Sequence, residues 1–204
     1  MKGLMLKDYY QLREGLGLTL CVLAAIGAGI AYLVSPWALA IVAAATLSMQ
    51  VGATISMDKA AQWDRYSATL PLSRRQVIGE KYALYALLCL AGLALGLAAG
   101  GAAVWIQGQW AWRDLTLYAS VALIVSLLPG SVNIPWAHLW GEEKGMAGLI
   151  LSYMASSALV TGLVLALKGW IDMQALFPLL AGLSALAYLL SWRICPDRIA
   201  RKDL

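Results

Sequence analysis

The residues best suited to chemistry in this 204-residue chain lie between Asp58 and Tyr82, in DKAAQWDRYSATLPLSRRQVIGEKY, its longest hydrophilic stretch. Ser73 and Gln76 have the Ser-x-x-Gln spacing of a capping box, in which each side chain satisfies a backbone N–H at a helix start. Leu72 and Val77 stand at the two positions of a hydrophobic staple. The spacing predicts a helix that begins at Ser73 and runs on through Tyr82. Pro71 keeps Leu70 out of helical backbone, so a separate short helix is expected earlier, around Gln62 to Ser67. Arg74 and Arg75 then fall in the first turn of the later helix, where the positive end of the macrodipole disfavours cations by ~0.3–1 kcal/mol each. Two kinds of partner would offset that cost. One is anionic lipid headgroups, at ~1 kcal/mol per basic residue. The other is a docked protein, with Trp63 and Tyr66 giving apolar contact area and Asp64, Arg65, Arg74 and Arg75 setting register.

A second polar group, Trp140, Gly141, Glu142, Glu143 and Lys144, raises the question of catalysis. Paired glutamates beside an apolar run resemble membrane proteases that use Glu-Glu-x-x-x-Arg with additional histidines. Here position 147 is Ala and His138 is the only histidine, so the acids fit a solvated turn or a second protein contact better than an intramembrane hydrolase. Cys21, Cys89 and Cys195 have no paired spacing and sit in or beside apolar segments, where they act as small hydrophobes; no metal site is expected. The chain has no Gly-x-x-x-x-Gly-Lys-Ser/Thr phosphate loop, so it is not expected to be an ATPase or any other enzyme by a recognisable motif.

These polar segments must be positioned by what lies between them: six stretches free of Asp, Glu, Lys, Arg and His, at residues 16–34, 36–57, 82–106, 115–137, 145–167 and 173–192. Each reaches the ~20 residues a helix needs to cross a ~30 Å hydrocarbon core. With 61% hydrophobic and 13% charged residues, the chain reads as one all-α transmembrane domain over residues 1–204. It has six spans, a loop at 58–81 and a tail at 193–204. All but two of the 15 Lys and Arg fall in the N-terminal segment, alternate loops and the tail. Arg113 and Lys168 are alone on the other side. Short basic loops are cytoplasmic, which places both termini inside. The Trp residues divide the same way, with Trp37, Trp105, Trp110, Trp112 and Trp170 at the outer surface and Trp63, Trp136, Trp140 and Trp192 at the inner one. The length of the first apolar run and the acids Asp8 and Glu14 before it favour an uncleaved first helix over a signal peptide. Residues 1–15 place Leu4, Met5, Tyr9 and Leu12 on one face, which predicts a short helix lying in the inner interface.

No ionisable group lies within the spans, which argues against a proton- or sodium-coupled carrier. Gln50 and Asn133 are amides well inside them, and interhelical hydrogen bonds are their simplest role. Pro129 and Pro135 flank Asn133 and predict a bend or break, because they free carbonyls that need other partners. Gly92, Gly96 and Gly100 recur every four residues and mark a stripe where another backbone can approach closely, on this chain or on a second copy.

The segment WDRYSATLPLSRRQVIGEKY resembles the motif of ABC-2-type transporter permeases, in particular the small six-span bacterial group that works with a separate ATPase. IPWAHLWGEEKG, at Ile134 to Gly145, and the opening MKGLMLKDYYQLRE are similar to the same group. The resemblance implies that the first cytoplasmic loop holds a coupling helix seated in a cleft of the ATPase. Here that role would fall to residues 62–75, with Gln62, Trp63, Asp64, Arg65, Tyr66, Leu70, Pro71, Ser73, Arg74 and Arg75 as its contact residues. It further implies two ATPase subunits binding ATP and Mg, a second permease subunit, identical or different, and a multi-pass place in the bacterial plasma membrane. No cofactor in this chain and no nucleic acid are expected. Some relatives in that group resemble exporters of amphipathic, antimicrobial or cytolytic peptides that confer resistance on the producer. Such a cargo would suit apolar walls with scattered hydroxyls, among them Ser126, Ser131, Ser152, Ser156, Ser157 and Thr161. A non-transporting immunity or scaffold protein is the alternative.

Overall fold

A computed structural model describes residues 2–33, 35–63, 66, 69, 73–108, 112–139, 145–167 and 172–200. The described residues form six long helices and no strand: α1 Lys2–Leu33, α2 Ala38–Ala60, α3 Arg74–Gln107, α4 Trp112–Leu139, α5 Gly145–Leu167 and α6 Met173–Ala200. Five of them, α2 to α6, are long and apolar enough to cross a membrane by length and composition, and α1 carries a shorter apolar stretch, Gly15–Gly27. Every expected span lies within or largely within one helix.

The expected interfacial helix is not a separate element. Residues 2–15 continue into the first apolar run as one 32-residue helix. Gly15 and Gly17 each weaken a helix by only ~1 kcal/mol relative to Ala, too little to end it. The buried stripe on its first half is Leu4, Asp8 and Leu12, while Tyr9 is exposed and Met5 half-buried. That stripe faces α2 and α3, with Leu12 joining the main core beside Val51, Ile55, Tyr82 and Ile134. Of the expected face, Leu4 and Leu12 are buried together, and the surface they cover is protein.

α2 is central, packing most extensively on α3 and also on α1 and α4, while α4 packs on α6. The α2–α3 contact is close because of the glycine stripe. A Cβ on Gly92 would lie 2.5 Å from Ala43 O, on Gly96 2.5 Å from Ala40 Cα, and on Gly100 2.6 Å from Pro36 O. The approaching helix therefore belongs to this same chain. α3 ends at Gly108, whose φ of 66° is the left-handed cap conformation that glycine adopts without strain.

The proline pair does not break α4, which runs helically through Pro129 and Pro135. Pro135 has no N–H for the carbonyl of Ser131, and the hydroxyl of Ser191 on α6 donates to that carbonyl instead, at 2.8 Å. Tyr82 lies 2.8 Å from the same Ser191 oxygen, and Tyr188 donates to the carbonyl of Tyr82 at 2.6 Å. Replacing Ser191 by Ala should therefore cost about 1–3 kcal/mol, the usual loss when a buried acceptor goes unpaired, read as a lower melting point of the purified chain. Gln50 does bridge helices, donating to Thr19 on α1 at 2.5 Å, and Asn133 is buried with its amide turned toward Gly52 on α2. The three cysteines are free, with Cys89 and Cys195 buried.

Candidate coupling site at the basic membrane face

The site begins at the end of α2. Ala61 caps that helix, and Gln62 turns the chain with a φ of 51°, a left-handed conformation that costs a non-glycine residue about 1–2 kcal/mol. The turn releases the chain from the α2 axis just before Trp63. Trp63 and Tyr66 are both helical, and their rings meet with centroids 5.4 Å apart. Tyr66 is exposed and Trp63 half-buried. The capping box expected at Ser73 is present in both directions: Gln76 N–H donates to the Ser73 hydroxyl at 3.3 Å, and Ser73 N–H to the Gln76 side-chain oxygen at 3.2 Å. Arg74 opens α3, and Arg75 follows with an exposed side chain. Asp64, Arg65, Leu70 and Pro71 lie outside the described residues, as does the whole second loop group Trp140, Gly141, Glu142, Glu143 and Lys144.

Behind Trp63 stands a group of charges that reading the loops one by one does not reveal. Lys7 Nζ is 2.5 Å from Asp58 Oδ1 and 3.2 Å from Asp8 Oδ1. Lys81 Nζ is 2.5 Å from Asp8 Oδ2 and 2.7 Å from Asp58 Oδ2. Each ammonium touches both carboxylates, so the four close a square of alternating sign across α1, α2 and α3. Gln11 donates to Asp58 at 3.2 Å and Lys81 to the Thr54 hydroxyl at 3.3 Å. Asp8 is fully buried and Lys81 is 3% exposed. Burying an ion costs several kcal/mol, which the pairing of each carboxylate with both ammoniums offsets, and the buried Glu80 stands beside Asp8 as a further acid. The signal for this in the sequence was Asp8 itself, four residues from both Leu4 and Leu12 and therefore in the middle of an apolar stripe.

The square sits at the end of the apolar spans. At ~1.5 Å per residue the 34 residues of α3 extend about 50 Å, well beyond a ~30 Å hydrocarbon core, and its charged first turns are the part that projects. Lys7 also lies 4.2 Å from the centre of the Trp63 ring, a cation–π contact worth about 0.5–2 kcal/mol. Trp63 is thus joined through Lys7 to Asp8 and Asp58, and through them to Lys81. Lys59 at the end of α2 adds a link to α4, donating to the carbonyl of Ala137.

Away from this face, three of the expected hydroxyls, Ser156, Ser157 and Thr161, line a cavity of about 200 Å³ between α4 and α5, with Tyr153, Ile124 and Val160. The other three turn to their own helices: Ser126 donates to Ala122 O, Ser131 to Leu128 O and Ser152 to Leu149 O.

A bundle of long apolar helices with its charge gathered at the segment ends is a multi-pass membrane protein. The family described as ABC-2 family transporter protein matches residues 3–197, and the chain belongs to it. No curated protein and no solved structure gives a significant match.

Proposed function

We propose that this chain is the six-span membrane subunit of an ABC exporter, with both termini cytoplasmic, driven by a separate ATPase that grips residues 62–75. The family membership supports a permease, and such permeases normally work with ATPase partners. The observation that carries the coupling role is the chain of contacts from Trp63 through Lys7 to the buried Asp8, Asp58 and Lys81. A push on the exposed Tyr66 and the half-buried Trp63 is delivered to three helices at once. Two ATPase subunits bearing ATP and Mg and a second permease complete the transporter. The cargo is an amphipathic peptide of the antimicrobial or cytolytic kind, for which the hydroxyl-bearing apolar cavity between α4 and α5 offers a suitable wall.

The test is a double substitution, Trp63→Ala with Arg74→Ala, in vesicles containing the permease and its ATPase. Hydrolysis of ATP should continue while peptide export falls to background. Export at the unaltered rate, with the variant present at normal level, would remove the segment from the mechanism.

A further inference from the structure

On the same membrane face, but on the other side of α3 from the ion-pair square, a cavity of about 450 Å³ opens between the start of α3 and the end of α6. Its described lining includes Arg75, Gln76 and Gly79 from α3 and Leu189, Trp192 and Arg193 from α6. The volume falls within the ~300–1,000 Å³ of small-molecule sites. Two guanidiniums from different helices flank it. Gly79 is buried at its wall, and a Cβ there would be in ordinary contact with Trp192 Nε1, at 3.7 Å, so a longer side chain would grow into the space. The indole itself is held in place, stacked on Tyr82 at a centroid distance of 6.3 Å and set edge-on to Tyr188. From the guanidinium end an apolar wall continues along α6, where Leu189 and Leu186 are 51% and 57% exposed.

We infer that this cavity binds one anionic phospholipid, its phosphate between Arg75 and Arg193 and an acyl chain along Leu189 and Leu186. Arg is suited to this because its planar fork presents paired N–H donors to phosphate oxygens. An indole at the headgroup level with its body buried is the usual interfacial placement of Trp. A free anion would use the guanidiniums but not the apolar wall, whereas a phospholipid uses both. The inference goes beyond the transport reading and does not require an ATPase.

The experiment is native mass spectrometry of the delipidated full chain, titrated with dioleoyl phosphatidylglycerol or dioleoyl phosphatidylcholine. The unaltered chain should retain one phosphatidylglycerol in preference to phosphatidylcholine. Arg75→Gln with Arg193→Gln should weaken that retention about thirtyfold, the combined effect of two basic residues at a lipid surface. Gly79→Leu, which fills the cavity without changing charge, should do the same. Arg193→Gln alone alters one exposed side chain and guards against misfolding, and Arg113→Gln on the opposite face should leave retention unchanged. Equal retention of phosphatidylglycerol by the unaltered chain and the double variant overturns the site. So does displacement of the lipid by millimolar inorganic phosphate, which would make it a free-anion site, or by added ATPase, which would make it protein interface. Loss of export with lipid retention intact bears on the transport reading alone.

Discussion

Lys81→Met should destabilise the purified chain by about 3–5 kcal/mol, the range observed when one partner of a buried ion pair is removed and the other charge is left behind. Lys81 is 3% exposed, and its ammonium is the contact that Asp8 Oδ2 and Asp58 Oδ2 share. Without it the square holds two carboxylates and one ammonium, and the fully buried Asp8 keeps Lys7, at 3.2 Å, as its cation among the described residues, with the acidic Glu80 buried beside it. The control is Lys81→Met combined with Asp8→Asn. Replacing a buried ion pair by neutral groups of similar volume is often nearly neutral, so most of the lost stability should return in the double variant. Thermal or denaturant unfolding of the detergent-solubilised chain reads both. A loss below about 1 kcal/mol for Lys81→Met, the size of an exposed ion pair, would mean that these charges are solvated and that the square carries no load. Trp63 should report the damage as well, because Lys7 would be drawn toward the unpaired carboxylates and away from the ring 4.2 Å from it.

Much of this bundle was legible because membrane helices leave simple traces. Runs without charge mark apolar helices, since an unpaired ion in hydrocarbon is costly and a helix satisfies nearly all of its backbone groups internally. The start of α3 was readable to the residue because Ser73 and Gln76 satisfy each other's backbone locally. The glycine stripe was readable as a place of close approach, but its partner was not, because spacing within one helix says nothing about which helix comes near. Ala40, Ala43 and Pro36 supply the answer.

The ion-pair square was hidden for a related reason. Asp8 and Lys81 are 73 residues apart, and Lys7 and Asp58 are 51 apart. Tallying basic residues by loop yields an expected orientation but assigns every one of them to solvent. Asp8 within the Leu4–Leu12 stripe was the visible contradiction, a carboxylate where an interfacial helix would present lipid with apolar side chains. The accommodation of Pro135 in α4 was equally non-local: the donor to the Ser131 carbonyl is Ser191, on another helix. Glycine as a bed for an aromatic ring went unread as well. A Cβ on Gly130 would lie 2.4 Å from the Tyr85 ring, and Gly148 holds no side chain because Trp136 occupies that space.

Gly96→Leu should be, with Gly92→Leu, among the most damaging substitutions within the spans, because nothing around it can yield. A Cβ there would lie 2.5 Å from Ala40 Cα, 2.7 Å from Leu39 O and 2.8 Å from Ala40 N, all of them backbone atoms of α2. A flexible side-chain tip could rotate away, but a backbone can move only if the two helices separate. Overpacking of this kind costs about 1–3 kcal/mol even where side chains can adjust, and a rigid contact belongs at or above the top of that range. Gly96→Ala already requires part of the separation, and its better helix propensity, about 1 kcal/mol, should offset that only partly. Gly162→Ala and Gly182→Ala are the controls: a Cβ at either position has nothing within 4 Å, so propensity alone acts and the melting point should hold or rise. If Gly96→Leu melts with those controls, α2 and α3 are not held at backbone contact. If it melts far below them, the separation should also be felt at the charged end of the same pair, where Asp58 on α2 meets Lys81 on α3 at 2.7 Å. Gly96→Leu and Lys81→Met should then cost less together than the sum of their separate effects, since a wedge that has already parted the helices leaves less of that ion pair to lose.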